Sequence, residues 1–418
     1  MKAKSIGVAL ALAASTAWTP AFAADLGGDC CADLEERVAE LEATTARKGN
    51  RKVSLTVSGQ VNELVYWWDN GDESNVYQAG NSFSSSRFRF TGDANISADW
   101  SAGYIIEIET YGAKGSSQGV GNYAQDESDD EGDGLVVRHS AWYLKSKTLG
   151  KISVGYTSFA TDDIMSSIGL GGTASATQGN IDSAPGAGLV FGGGSAVRVK
   201  DIFDVYDIDR GNIVRYDSPS IAGFVLSAAW GEDDRWDVAL RYAGEFNGIK
   251  LAAAIGYHEY RDQEDDSGLG RYDIGDFDDI RGAISVLHVP SGLFADFGMT
   301  QRNFDEPGFD DFTFWYVRGG IYQKFVPLGK TSIFGEYGEA NNSQANRLYD
   351  EGFLASDGTF YGVGIQQQID AAAMEVYLGW RHFEADLIGD ADTCDPDPSC
   401  GIGSDSVDTV YTGARIKF

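Results

Sequence analysis

The sequence predicts an all-β fold: a 16-stranded antiparallel transmembrane β-barrel with a short N-terminal periplasmic helix. Three observations predict it. From Val53 onward nearly the whole chain alternates apolar and polar residues with period two. Short and long connections take turns between the alternating segments, as they do where tight turns face one side of a membrane and longer loops the other. The chain also stops in mid-strand, on Phe418.

Residues 1–23, "MKAKSIGVALALAASTAWTPAFA", place Lys2 and Lys4 before the apolar run Ile6 to Ala14 and the small-residue site Ala21-Phe22-Ala23. That order is a secretory signal peptide cleaved after Ala23, and the apolar run is too short for a membrane helix. The mature chain is therefore expected to leave the cytoplasm. Residues 24–50 form a periplasmic N-terminal segment. Within it Leu34, Val38 and Leu41 make a helical stripe, with Glu35, Glu36 and Glu40 on the solvated side. Such a short stripe suits a coiled-coil-like stub that associates subunits or tethers the protein to peptidoglycan.

No later run of 18 apolar residues exists, so no membrane helix is expected. Gly is 53 of 418 residues and Pro only 8, while Phe, Tyr and Trp number 22, 20 and 9. Glycine and aromatics together, with few prolines, suit a large antiparallel sheet with tight turns. A net charge of −31 excludes nucleic acid as a partner. Cys394 and Cys400 bracket the polar "CDPDPSC" and are expected to form a disulfide in an oxidising compartment. Cys30 and Cys31 are adjacent and cannot easily bridge each other. Acids near Asp129, Glu131 and Asp133 lack the closing Glu of a calcium loop, so no metal site and no cofactor is assigned.

Alternation identifies the strands of the barrel, residues 51–418. In "SRFRFTGDANIS", Phe88, Phe90, Ala94 and Ile96 oppose Arg87, Arg89, Thr91 and Asp93. In "AMEVYLGWRHF", Met374, Val376, Leu378 and Trp380 oppose Glu375, Tyr377 and Arg381. A soluble sandwich would alternate too, but arginine and glutamate recurring at mid-strand, with no second apolar layer to cover the sheet, fit apolar residues facing lipid and polar ones lining water. Sixteen segments result, from 53–69 to 406–418, joined alternately by turns such as "FNG" and "PSG" and by long acidic stretches such as "NGDESNVYQAGN". An even number leaves both ends on the periplasmic side, where the last strand closes against the first. Val410, Ala414, Ile416 and Phe418 share one parity, so the terminus is held in the sheet, and Phe418 reads as the signal for the barrel-assembly machinery.

With these features in place, the chain resembles the general porins of alphaproteobacteria. The resemblance rests on the signal peptide, "DLEERVAELEATTARKGNRKVSLTVSGQVN", "RGNIVRYDSPSIAGF" and the closing "GARIKF", and spans essentially the whole mature chain. It implies a sixteen-stranded homotrimer that passes small hydrophilic solutes by diffusion through the outer membrane; the acidic outer loops are expected to meet lipopolysaccharide through bridging divalent cations.

One connection is far longer than the rest. Residues 161–211 hold too many apolar residues for a solvated loop, and are read as folding into the barrel to narrow it. The expected constriction sets Asp162, Asp163, Asp201, Asp204, Asp207 and Asp209 of this loop, tempered by Arg198 and Lys200, against wall arginines. On lumen parities these are Arg87, Arg89, Arg138, Arg215, Arg241, Arg281, Arg318, Arg381 and Arg415. Opposed charges across water would make a transverse field and, with the acidic chain, a mild preference for cations. For any single arginine the plainer role is partner to a neighbouring acid such as Asp93, Glu107 or Asp237.

Three other functions compete with this one, the last a structural tether that rests only on residues 32–50. A barrel lipase would need a nucleophile beside His139, His258, His288 or His382, and no triad spacing is present, so no enzyme is expected. A substrate-specific channel, for sugars for instance, would line its lumen with a slide of rings, for which Tyr316, Tyr322 and Tyr377 are scattered candidates.

Overall fold

The computed structural model describes residues 52–111, 134–192, 197–203, 205, 210–231, 235–261, 276–305, 311–342, 353–389 and 404–418. The signal peptide, the helix within 24–50, all four cysteines and the disulfide expected of Cys394 and Cys400 lie outside the described residues.

Seventeen strands form one antiparallel sheet closed on itself. They are β1 (Thr56–Asp69), β2 (Ser74–Gly80), β3 (Arg87–Asn95), β4 (Trp100–Tyr111), β5 (Gly134–Ser146), β6 (Gly150–Ser158), β7 (Arg210–Asp217), β8 (Phe224–Gly231) and β9 (Trp236–Phe246). The others are β10 (Ile249–Tyr260), β11 (Phe277–His288), β12 (Leu293–Phe304), β13 (Phe312–Val326), β14 (Gly329–Asn341), β15 (Phe353–Ile369), β16 (Met374–Gly389) and β17 (Ser404–Lys417). From β3 onward each strand pairs with the next, β1 pairs with both β2 and β3, and β17 returns to β1, from Gln60 opposite Lys417 to Asp69 opposite Asp408. The barrel nevertheless has sixteen staves. β2 and β3 are two halves of one, β2 pairing with the outer half of β1 and β3 with the inner half.

That break corrects the sequence reading, which placed all of residues 70–81 in an outer loop. Residues 74–80 are strand because Tyr77 and Ala79 turn inward and are buried. Tyr77 packs its ring 5.9 Å from Tyr66 and 5.5 Å from Trp68. Seven residues with polar ends carry too little alternation to be recognised without the neighbour they pack on.

Alternation has the direction expected of a membrane barrel. Trp142, Ile152, Val238, Leu240, Ile255, Val376 and Leu378 lie on the exposed outer face, while Glu107, Asp279, Arg281 and Arg381 are buried on the inner one. With the apolar face outside, backbone groups must all be satisfied within the wall, which closure of the sheet achieves. Closure is completed at the last residue. Gly59 N–H donates to the Phe418 carbonyl at 2.9 Å, and Phe418 N–H donates back to Gly59 at 3.0 Å. The Phe418 ring lies over Gly59 and leaves no room for a β-carbon there.

At the end of the barrel with short turns, Asn247 and Gly248 connect β9 to β10 as a two-residue hairpin, with φ values of 50° and 79°. Positive φ at both positions matches the right-handed twist of the flanking strands, and Asn-Gly adopts it most readily.

Candidate functional site: the loop inside the barrel

The long connection after β6 enters the barrel. Its short helices, α1 (Ile164–Ser167) and α2 (Val199–Ile202), and the turns between them bury Ile164, Met165, Ile181, Leu189, Ile202 and Phe203 to 1% exposure or less. These side chains pack on inward residues of the wall. Phe203 meets Phe360 edge-on at 5.7 Å and Phe383 at 5.6 Å. Gly171 lies against the ring of Phe294, and Gly179 against that of Tyr316, at distances only a missing β-carbon permits. The loop thus covers the wall from β10 through β17, and this layer is the apolar core of the molecule.

Polar bonds pin the loop at its tip and its root. At the tip Ser175 Oγ donates to Glu375 at 2.6 Å, and Thr177 Oγ1 donates to Glu336 at 2.6 Å. Gln366 Oε1 accepts from the backbone N–H groups of Ser175 and Ala176 at 3.1 and 3.0 Å. The break between β2 and β3 dips inward to meet the same tip. There Asn81 Nδ2 donates to the Ser175 carbonyl and Gln178 Nε2 to the Phe83 carbonyl, both at 2.7 Å. At the root Thr161 donates its N–H and its hydroxyl to Asp237, at 2.6 and 2.7 Å.

All nine predicted wall arginines lie on the inner side of the barrel, but they fall into two populations. Arg281, Arg318, Arg381 and Arg415 are buried beneath the loop. Arg281 pairs with Asp279 at 2.8 Å, and Arg415 with Glu375 at 2.6 Å. Arg318 and Arg381 converge on Glu336, at 3.2 and 2.6 Å. Gly362 stands between Glu336 and Arg381 in the register, which lets the two side chains meet across the missing strand position. Arg318 and Arg381 bond the loop directly at Thr177 and Gln178, Arg415 supports it through Glu375, and Arg281 is buried against Asp279.

The second population lines the wall that the loop leaves open. Arg87, Arg89 and Arg138 gather around Glu107, Arg87 at 3.3 Å and Arg138 at 3.0 Å, and Arg138 also pairs with Glu109. Their side chains are 16–31% exposed, against 0–8% for the four beneath the loop. Arg215 pairs with Asp217 at 2.9 Å and donates to the carbonyls of Ser158 and Phe159. Arg241 donates to the Asp162 carbonyl at 2.8 Å.

Of the loop acids, Asp163 is exposed, with a φ of 64°. Asp162 is buried, its carboxylate 4.0 Å from Arg210. Asp201 accepts the Arg198 N–H at 2.8 Å and caps α2. Asp204, Asp207 and Asp209 lie outside the described residues.

The sequence reading did not single out Arg302, bidentate to Asp279 at 2.9 and 3.0 Å, nor Glu336 and Glu375. Parity could have found Arg302, since it follows Thr300 and precedes Phe304 on one inward row. Nothing local marks Glu336 or Glu375 as the residues that receive the loop.

A family profile described as Gram-negative porin matches residues 9–414. No curated protein sequence matches the chain. Among solved structures it is similar to the anion-selective porin from Comamonas acidovorans, at 15% identity and a TM-score of 0.57, covering 88% of this chain and 100% of that one. It is similar to OprB of Pseudomonas putida at 9% identity and a TM-score of 0.56, covering 92% and 97%. The trimer form of OmpT from Vibrio cholerae matches at 15% identity and a TM-score of 0.53, covering 88% and 99%. At these identities the likeness is one of fold.

Proposed function

The chain belongs to the Gram-negative porin family and is an outer-membrane channel rather than an enzyme, and on that premise we propose that it passes small hydrophilic solutes and ions by passive diffusion, with a mild preference for cations. One observation carries the reading. The loop packs against one side of the lumen and leaves the other side, with its part-exposed arginines, to water. Among the described residues that is a narrowed passage rather than a plug.

The preference for cations rests on charge. Arg87, Arg89 and Arg138 carry Glu107 and Glu109 among them, so the wall is largely neutralised while the chain as a whole holds −31. Ions therefore meet an acidic protein around a nearly balanced constriction. A sugar-specific channel is disfavoured because, of the three candidate rings, Tyr316 and Tyr377 are 2% exposed, engaged with Met165 and with Asn62 and Asn81, which leaves Tyr322 alone part-exposed. Rings so covered offer a sugar no slide.

Further assignments belong to the same proposal. The protein assembles as a homotrimer, as OmpT does in its trimer form. It is of the alphaproteobacterial type, by the residues quoted above. Asp163 serves as the loop acid of the constriction, and Phe418 as the assembly signal. The acidic outer stretches face lipopolysaccharide, and the N-terminal segment associates subunits or tethers the protein to peptidoglycan.

Single-channel recording in a planar bilayer under a potassium chloride gradient tests the reading. Conductance steps in threes with a weakly cation-selective reversal potential are expected. Silent membranes would overturn the channel, and an anion-selective potential would overturn the charge argument alone.

A further inference from the structure

Where the loop enters the barrel, the inward row that crosses β9 to β12 holds an idle histidine. In register, Asp237 on β9 stands opposite His258 on β10, His258 opposite Asp279 on β11, and Asp279 opposite Arg302 on β12. His258 is fully buried, and neither ring nitrogen has a hydrogen-bond partner among the described residues. Its ring lies in an aromatic cage, 6.0 Å from Phe159, 5.8 Å from Tyr260 and 6.3 Å from Phe277. An imidazole always carries at least one N–H, and a buried donor left unmet is costly. Such a group in a native fold calls for a reason.

The charges around it leave one acceptor open. Asp279 is committed, bidentate to Arg302 and paired with Arg281 at 2.8 Å. Arg235 lies 4.7 Å from the Phe159 ring and 4.4 Å from that of Tyr260, and Arg302 lies 4.4 Å from Phe277. On the loop, the Asp162 carboxylate faces Arg210 instead, at 4.0 Å. Beyond Asp237, Ala229 separates it in the row from Arg215. Asp237 itself is only half used. Its Oδ2 receives both Thr161 bonds that fix the loop root, while its Oδ1 is buried without a hydrogen-bond partner. Directly opposed residues of an antiparallel pair hold their β-carbons about 5 Å apart, so a turn of the two side chains brings the imidazole onto that oxygen. The same strand touches the root: a β-carbon on Gly256, the next inward residue of β10, would stand 2.6 Å from Thr161 Cγ2.

We propose that His258 is an acid sensor of the loop root. Once protonated, the imidazolium donates to Asp237, draws that carboxylate away from Thr161, and frees the root of the loop from β9. Histidine is the side chain whose charge changes nearest to neutrality, so the switch is idle at pH 7 and engaged in acid. The device rests on the diffusion-pore reading, because the loop it releases is the one that narrows the passage. A freed root lets the loop shift across the open lumen and interrupt the current.

Single-channel recording at pH 7 and at about pH 4, at one salt concentration, tests it. The wild-type channel should be quiet at pH 7 and show several-fold more frequent closures in acid. His258→Phe puts a ring of similar size into an aromatic cage, and should keep the pH 7 current while losing the acid closures. Asp237→Asn still accepts from Thr161 but offers the imidazolium no charge. It should lose the closures too, and it carries the test if His258→Phe does not assemble. Lumen carboxylates also titrate over this range, and His258→Phe retains all of them. Acid closures that persist in either variant therefore overturn the sensor, as does a wild-type channel equally quiet at both pH values. Membranes silent at pH 7 would instead overturn the diffusion pore itself.

Discussion

Thr177 Oγ1 donates to Glu336 at 2.6 Å, and the same hydroxyl lies 3.1 Å from the Nη2 atoms of both Arg318 and Arg381. One loop hydroxyl is thereby enclosed by a carboxylate and two guanidinium groups of three wall strands. The arrangement is a buried ionic cluster with the loop tip as its fourth member, and such clusters depend on every partner being satisfied.

Thr177→Val keeps the side-chain shape and removes the hydroxyl. A hydrogen bond to a charged group contributes about 1.5–3 kcal/mol, so the tip should detach intermittently from β14 and β16. Open-channel current is expected to gain fluctuations that the wild type lacks. Noise indistinguishable from wild type would mean that Ser175 and Gln178 hold the tip without Thr177.

Gly362→Val should weaken the barrel. A β-carbon there would stand 2.8 Å from the Trp380 carbonyl and 3.3 Å from Glu336 Oε1, the oxygen that pairs with Arg381. Overpacking of this kind costs about 1–3 kcal/mol. The temperature at which the folded form disappears on unheated gels should fall, and an unchanged temperature would show that the wall yields there.

Glu107→Gln should turn the open wall positive. Three arginines share this carboxylate, and a unit charge ~5 Å from the pathway in water is worth ~0.8 kcal/mol, about a fourfold change in the local concentration of each ion, in opposite directions for anions and cations. The reversal potential in a salt gradient should move towards chloride. The shift should shrink as salt is raised, because screening shortens the reach of the charge.

Removing Phe418, or replacing Gly59 by Val, should impair closure. The first deletes both backbone bonds between the terminus and β1, and the second sets a side chain where the Phe418 ring lies. Both variants should yield less folded protein in the outer membrane, with the unfolded remainder degraded. Wild-type yields of the Gly59 variant would show that the ring can move aside.

The sequence by itself determined the architecture. Parity along each strand decides which residues meet lipid and which meet water, and this is why Arg87 through Arg415 all appear on the inner face without reference to any contact. Stave number and closure on Phe418 follow from the same local rule. Only the tertiary structure decided what those arginines do. Whether one holds the loop, as Arg318 and Arg381 do, or faces the open lumen, as Arg89 does, depends on which side of the barrel the loop settles against. That choice is made by shape, where Phe203 fits between Phe360 and Phe383 and glycine lies against Tyr316, residues separated by more than a hundred positions in the chain. The break in the second stave was hidden for the same reason: Tyr77 becomes a strand residue only against the rings of Tyr66 and Trp68. Alternation reports the face on which a side chain lies, whereas its partner on that face is set by packing across the lumen.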